Sequence, residues 1–134
     1  MKLASLKTDP EKTIDGVWVE AGQGLRLRIA RINNPRYEDE IRKILKPHLR
    51  AVRSGNMDVK TMRSLSATPL SKFVLLGWEN LEDVVDGQTV QVAYSHEKAE
   101  ELLKAYPEFY DMVLEYASDV ALFRADDIEE SKGN

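Results

Sequence analysis

The residue types that most often carry catalysis are scarce in this chain of 134 residues, which contains two histidines and no cysteine. His48 and His96 lack the spacing of a helical ligand pair such as His-Glu-x-x-His. Ser95 precedes His96, but a nucleophile and its base must meet in space while a third group orients the base, and sequence neighbours rarely do so. We therefore expect no catalytic, cofactor-binding or metal-binding residue, and solvated or capping roles for both histidines.

Two other clusters resemble chemical motifs only in part. Gly22-Gln23-Gly24 lacks a third glycine and precedes an alternating strand, so it predicts a hairpin turn and not a phosphate loop. The carboxylates near the C-terminus are not arranged around a central glycine as in a calcium loop, and they predict a solubilising tail. These carboxylates are Asp126, Asp127, Glu129 and Glu130.

A stripe of basic residues is the strongest candidate for binding. Arg42, Lys46, Arg50 and Arg53 recur at spacings of four, four and three, which places them along one side of a helix. The stripe could contact an acidic protein surface, bind nucleic-acid phosphates or face solvent. The net charge of -4 and the lack of a recognisable nucleic-acid-binding motif favour the protein surface over nucleic acid.

Aromatic residues crowd into the second half of the chain, and those left outside the core would anchor an interface. The aromatic residues that join the basic stripe as predicted partner-binding residues are Tyr110, Tyr116 and Phe123.

The charge is divided unevenly along the chain. Residues 1–64 carry 14 basic and 8 acidic side chains, a net +6, whereas residues 65–134 carry 5 and 15, a net -10. A chain polarised in this way could pair its own halves, stack head to tail with copies of itself, offer its basic half to an acidic partner, or simply present two solvated faces.

The elements that must position these residues begin with a flexible arm over residues 1–12. Residues 17–20 and 25–29 alternate as a β-hairpin, with Arg26 and Arg28 on its wet face. Asn34 and Pro35 start a helical stretch that runs to about Arg53, and Pro47 predicts either a kink in it or two abutting helices.

Shorter elements follow in the second half. Asp58 caps a short helix, and Pro69 opens another that presents Leu76 and Trp78. Residues 86–87 form a tight turn before an extended segment at 89–92. Ser95 caps a further helix, and the last one begins near residue 107.

The fold class predicted from these elements is α+β and mainly α-helical, in one compact domain over residues 13–125 with a flexible acidic tail at 126–134. The longest central apolar run, residues 73–77, is far shorter than the roughly 20 residues of a membrane span. The N-terminus lacks the apolar core of a signal peptide. We therefore expect the cytosol as the location and no membrane contact.

Trp78-Glu79-Asn80, Asp86-Gly87, Tyr94-Ser95 and Pro107 follow one another along the chain. Their order resembles that in the tail assembly chaperones of long-tailed, siphovirus-type bacteriophages. The resemblance covers about residues 70–134 and is closest to the short form of these proteins. A valine-rich stretch at 90–93 stands where members of that family usually carry a proline-containing link. The residues that carry the resemblance, with expected structural roles, are Trp78, Glu79, Asn80, Tyr94, Ser95 and Pro107.

This resemblance implies a non-enzymatic protein in the cytoplasm of the bacterial host that is absent from the mature virion. Such proteins bind the tape measure protein, keep it soluble and help to recruit the tail tube protein through a longer form made by ribosomal frameshifting. Self-association is expected from the opposite charges of the two halves. A nucleic-acid-binding phage or bacterial regulator that uses the basic stripe is the alternative.

Overall fold

The computed structural model describes residues 1–125, so the predicted acidic tail at 126–134 lies outside the described residues. The N-terminal segment forms a 3-10 turn at Leu3–Leu6 and the helix α1 (Pro10–Asp15). The N–H of Asp9 donates to the carbonyl of Phe123 (2.7 Å), and the N–H of Ala125 donates to that of Lys7 (2.8 Å). Both ends of the described chain thus lie side by side. The division into a flexible N-terminal segment (residues 1–12), a domain (13–125) and a tail (126–134) stays a prediction.

The predicted hairpin is confirmed. Strands β1 (Val17–Glu20) and β2 (Arg26–Ile29) pair antiparallel, and Leu27 and Ile29 are fully buried. The alternation also holds on the other face, where Arg26 donates a hydrogen bond to Glu79 and stacks on the exposed ring of Trp18.

The predicted kinked helix is also confirmed. Helix α2 (Pro35–Leu45) passes through a 3-10 turn (Lys46–His48) into α3 (Leu49–Arg53), because Pro47 has no N–H for the α-helical bond. Asn34 is buried at the start, where its side chain accepts from the N–H of Tyr37 (2.9 Å) and donates to the carbonyl of Arg31. This cap fixes where the helix begins.

The prediction that Pro69 opens a separate helix was wrong. Helix α4 runs without a break over Val59–Phe73, and the residues that follow form a strand, β3 (Leu75–Glu79), on the free edge of β2. A proline inside a helix costs about 3 kcal/mol. Here Pro69 and Leu70 are buried, so packing of the helix in the interior outweighs that cost. Leu76 and Trp78 therefore lie in a strand, not in a helix.

The second half begins with a separate two-stranded hairpin, β4 (Glu82–Val85) and β5 (Gln88–Gln91), of which the tight turn and an extended segment at 89–92 were predicted. Asp86 and Gly87 both have positive φ, as a tight hairpin turn of this kind requires. Helices α5 (His96–Ala105) and α6 (Pro107–Ala117) follow, and the Ser95 side chain accepts from the N–H of Lys98 (3.0 Å) as the predicted N-cap.

The core lies between the buried face of the three-stranded sheet, in the order β1-β2-β3, and the helices α4, α5 and α6. Within the described residues it gathers apolar side chains from all of these elements: Val19, Leu27, Ile29, Ala67, Leu70, Val74, Leu75, Trp78, Ala99, Leu103, Val113, Ala117 and Phe123. The α+β, mainly α-helical prediction is confirmed.

Candidate functional site

An open groove lies between the β4–β5 hairpin on one side and helices α5 and α6 on the other. Its volume is about 410 Å³, within the range of about 300–1,000 Å³ that ligand pockets occupy. The lining is mainly apolar with charged residues among it: Leu81, Glu82, Asp83, Val92, Lys98, Leu102, Tyr106, Glu108, Phe109 and Met112.

Trp78 holds the hairpin wall of the groove in place. Its indole N–H donates to the carbonyl of Val92 (2.7 Å), just beyond the end of β5, while the N–H of Val92 donates to the carbonyl of Leu81 (2.7 Å). The indole also meets the rings of Tyr94 and Phe109 edge to face, with centroids 4.9 and 6.3 Å away. The hairpin is therefore fixed at its base, although every residue of its two strands is exposed.

The floor of the groove comes from the second apolar side of two helices. Neighbouring residues in an α-helix lie about 100° apart around the axis. Leu103 and Val113 are fully buried in the core, whereas Leu102 and Met112, one position earlier in each helix, are only partly buried and line the groove. The helices thus have more apolar surface than the core covers.

The rim of the groove is acidic. Glu82 and Asp83 lie on the hairpin wall, and Glu108 lies in the first turn of α6. The one basic residue of the lining, Lys98, is paired with Glu101 (2.7 Å), and the hydrogen bond to this carboxylate raises the pKa of Lys98, with a smaller effect from Asp83. An apolar segment that carries lysine or arginine would match this surface.

Exposed valines lie on both faces of the hairpin, and two of them extend the apolar surface beside the groove. Val84, Val85 and Val90 are 67, 51 and 39% exposed. Asp83 pairs with Val90 across the strands, and Val85 is two residues from Asp83. Val85 and Val90 therefore lie on the same face of the hairpin as the groove residue Asp83. The face beyond the groove is therefore also apolar and open.

The residues that carry the family resemblance have structural roles. Asn80 adopts a positive φ of 63° and donates to the carbonyl of Gly24 (2.9 Å), which joins the two turns at one end of the sheet. The hydroxyl of Tyr94 donates to the carbonyl of Leu75 (2.7 Å). Pro107 occupies the first turn of α6. None of these residues lines the groove.

The three aromatic residues predicted to bind a partner lie outside the groove. The hydroxyl of Tyr110 shares a hydrogen bond with Ser66 (2.7 Å), and that of Tyr116 donates to the carbonyl of Glu20 (3.3 Å). Phe123 is fully buried in the core and out of reach of a partner, so we remove it from the candidates.

The histidines face backbone or solvent. Nδ1 of His96 lies 2.8 Å from the carbonyl of Ser71, while the Ser95 hydroxyl caps its helix, so neither is aimed at the other. His48 is partly buried in the 3-10 turn. Among residues 1–125, no group of three or more histidine, aspartate or glutamate side chains is arranged to hold a metal ion. In the same part of the chain, no helix is long and apolar enough to cross a bilayer.

Comparison with protein families gives one match. A model described as YdaY prophage protein matches residues 32–134. The chain belongs to the YdaY prophage protein family. The match begins after β2 and includes both walls of the groove, so within the described residues the YdaY family region holds all of the lining. No curated protein and no solved structure matched the chain.

The predicted basic stripe lies on a second surface of this YdaY protein, which we call the basic arm: residues 35–53, from α2 through the 3-10 turn to α3. Arg42, Lys46, Arg50 and Arg53 are all exposed. Of these four residues, Arg42 forms an ion pair with Asp39 (3.1 Å). Among residues 1–125, no carboxylate lies within 4.0 Å of Lys46, Arg50 or Arg53.

The apolar side of the basic arm is covered only in part. None of its residues is fully buried although the helix is strongly amphipathic, and Leu49 is 39% exposed. The YdaY fold therefore presents two incompletely covered apolar surfaces, one with an acidic rim and one with a basic stripe.

The sequence patterns did not predict the groove, because Leu102, Phe109 and Met112 lie in amphipathic helices whose apolar residues are expected to pack in the core. One signal was available. Leu102 and Leu103 are adjacent and cannot point in the same direction, so a helix that carries both has apolar side chains on two sides. The position of the hairpin, which makes the other wall, depends on the bond between Trp78 and Val92 and has no local sequence signal.

Proposed function

We propose that this YdaY prophage protein is a non-enzymatic phage tail assembly chaperone, in its short form, that binds the tape measure protein and keeps it soluble. The observation that carries the proposal is the open groove with an apolar floor and an acidic rim. Membership of a prophage family supports a role in a phage. The resemblance of residues 70–134 to tail assembly chaperones supplies the identity of the partner.

The groove fits the physical task of such a chaperone. A long helical client exposes apolar stripes before it is assembled, and these stripes aggregate unless another surface covers them. An amphipathic helix binds when its apolar face lies in a groove of this kind. The acidic rim keeps the empty groove soluble and favours client segments with basic residues beside the apolar ones.

The remaining parts of the proposal follow from the same role. The protein acts in the cytoplasm of the bacterial host and leaves before the virion is complete. A longer, frameshifted form recruits the tail tube protein and so assists assembly of the tube. Self-association is part of its action, and binding, not catalysis, is its whole activity.

Co-expression with the long, helix-rich tape measure protein of the same prophage tests this proposal. We expect the soluble fraction of that protein to rise when the chain is present, and the two proteins to purify together. Leu102→Asp should abolish both effects, because it places a carboxylate on the apolar floor beside an acidic rim.

Val59→Asp is the matched control, since it adds the same carboxylate at an exposed apolar position outside the groove. Val59 begins α4, where a negative charge is tolerated at the helix N-terminus. A tape measure protein that stays insoluble with the wild-type chain would refute the proposal. If Leu102→Asp keeps the tape measure protein as soluble as the wild-type chain does, the groove is not the client-binding site.

Nucleic-acid binding remains a second candidate, because the basic arm exposes Lys46, Arg50 and Arg53 without carboxylate partners among the described residues. A regulator that uses these residues would bind DNA or RNA with an affinity that falls steeply with salt, at about 0.9 counterions for each phosphate contact on duplex DNA. Filter binding at several salt concentrations measures this slope. Retention that depends on all three residues would favour the regulator over the chaperone.

A further inference from the structure

We infer that the groove of one copy binds the basic arm of a second copy. The proposal goes beyond client binding, since it assigns both surfaces of a head-to-tail contact. It rests on three properties of the described residues: complementary charge, complementary apolar surface, and the origin of the two surfaces from different elements of the chain.

Charge is the first property. The groove carries Glu82 and Asp83 on one wall and Glu108 on the other, and its lysine is already paired with a glutamate. The arm carries Lys46 and Arg50 on an exposed stripe with no carboxylate within 4.0 Å among residues 1–125. Among residues 1–125, neither Lys46 and Arg50 nor the three rim carboxylates form an ion pair within 4.0 Å, although Lys98 lies close enough to Asp83 for the two charges to interact.

Apolar surface is the second property. On the arm, Leu49 is 39% exposed and Leu45 and Val52 are only partly buried, so apolar surface stays open along this segment. Lys46 and Arg50 directly follow Leu45 and Leu49 in the chain and are exposed, so basic side chains lie next to this apolar surface. An apolar surface with basic residues beside it is what an apolar groove with an acidic rim accepts.

The geometry of the contact is the third property. The arm is built from α2, the 3-10 turn and α3, whereas the groove is built from the hairpin, α5 and α6. A contact between two different surfaces is heterologous, so each copy keeps a free arm at one end and a free groove at the other. Copies would therefore add in rows or close into a ring.

The arm and a helical client would compete for the same groove. In the absence of client, the arm of a neighbour covers the apolar floor and limits non-specific aggregation. The two proposals are separable, because self-association is measured on the purified chain alone and client binding is measured with the tape measure protein.

Sedimentation velocity of the purified full chain over a wide range of concentration tests the contact. We expect association that weakens between about 0.1 and 1 M NaCl, as the Debye length falls from about 10 to 3 Å. Lys46→Glu with Arg50→Glu in the arm, and Glu82→Lys with Glu108→Lys in the groove, should each weaken association by about tenfold or more, because they place like charges opposite each other.

An equimolar mixture of the two double variants should associate again, since each type of end then meets a complementary one. Lys2→Glu with Lys60→Glu is the matched control, because it reverses two exposed lysines outside both surfaces and should leave association unchanged. A monomer at every concentration and both salt conditions would overturn the proposal. Association that Glu82→Lys with Glu108→Lys does not weaken would also overturn the proposal, because a symmetric contact between two basic arms would give that result. Circular dichroism confirms that each variant is folded.

Discussion

Replacing Trp78 with phenylalanine should destabilise the fold far more than the same change at Trp18, the other tryptophan of the chain. Trp78 is 7% exposed, and its N–H donates to the carbonyl of Val92 at 2.7 Å. Trp18 is 42% exposed and lies on the outer face of the sheet, where Arg26 stacks on it at 5.0 Å. The two variants therefore make one chemical change in two environments.

The magnitude follows from what phenylalanine cannot replace. Loss of the N–H leaves the partly buried carbonyl of Val92 without its donor, at a cost of about 1–3 kcal/mol. The smaller ring removes part of the contact with Tyr94 and Phe109, and a partial cavity of this kind costs about 1 kcal/mol. Together these terms predict a loss of about 2–4 kcal/mol for Trp78→Phe and less than about 1 kcal/mol for Trp18→Phe.

Urea unfolding followed by far-ultraviolet circular dichroism measures this difference without relying on the tryptophan that was removed. With a slope of about 2 kcal/mol per molar urea, Trp78→Phe should lower the midpoint by about 1–2 M. Equal midpoint shifts for the two variants would refute the role given to the Trp78 hydrogen bond. A normal midpoint for Trp78→Phe would do the same.

Three further predictions test other parts of the fold. Tyr94→Phe, which removes a 2.7 Å hydrogen bond, should lower the free energy of unfolding by about 1 kcal/mol, and Tyr116→Phe, whose bond is longer and exposed, by much less; urea unfolding of both compares them. Ser95→Ala should cost about 1 kcal/mol because it removes the side-chain cap of α5, and a thermal melt that matches the wild type would contradict this. The hydrogen bond from Lys104 is the main cause that lowers the pKa of Glu100 below 4.5. The stability that this carboxylate contributes is therefore present above pH 4.5 and is lost as pH falls through the pKa of the folded state. Unfolding curves from pH 7 to 3 should show that Lys104→Gln loses less free energy of unfolding in acid than the wild type does.

Local patterns predicted much of the fold. The alternation at 25–29, the cap at Asn34, the kink at Pro47 and the cap at Ser95 each depend on residues close in sequence, and each is confirmed. The prediction at Pro69 was wrong because a proline commonly starts a helix, whereas here the burial of Pro69 and its neighbours lets α4 continue through it.

The third strand and the groove could not be predicted in the same way. Strand β3 exists because the free edge of β2 pairs with residues about 50 positions later in the chain. The groove needs three elements to meet, and it uses the apolar positions that the core leaves uncovered. Among the predicted partner-binding residues, those of the basic stripe are exposed, and their role stays a prediction. Phe123 is buried, because an aromatic residue close in sequence to a helix end carries no signal that separates core from surface.

Site-specific photo-crosslinking in cells that co-express the tape measure protein tests the central claim, that the groove is the client-binding site, most directly. A benzophenone side chain at Tyr106, which lines the groove and is 53% exposed, should yield an adduct that mass spectrometry identifies as the tape measure protein. The same side chain at Leu3, exposed and outside the groove, should yield none. No adduct at Tyr106, or equal adducts at both positions, would contradict the account.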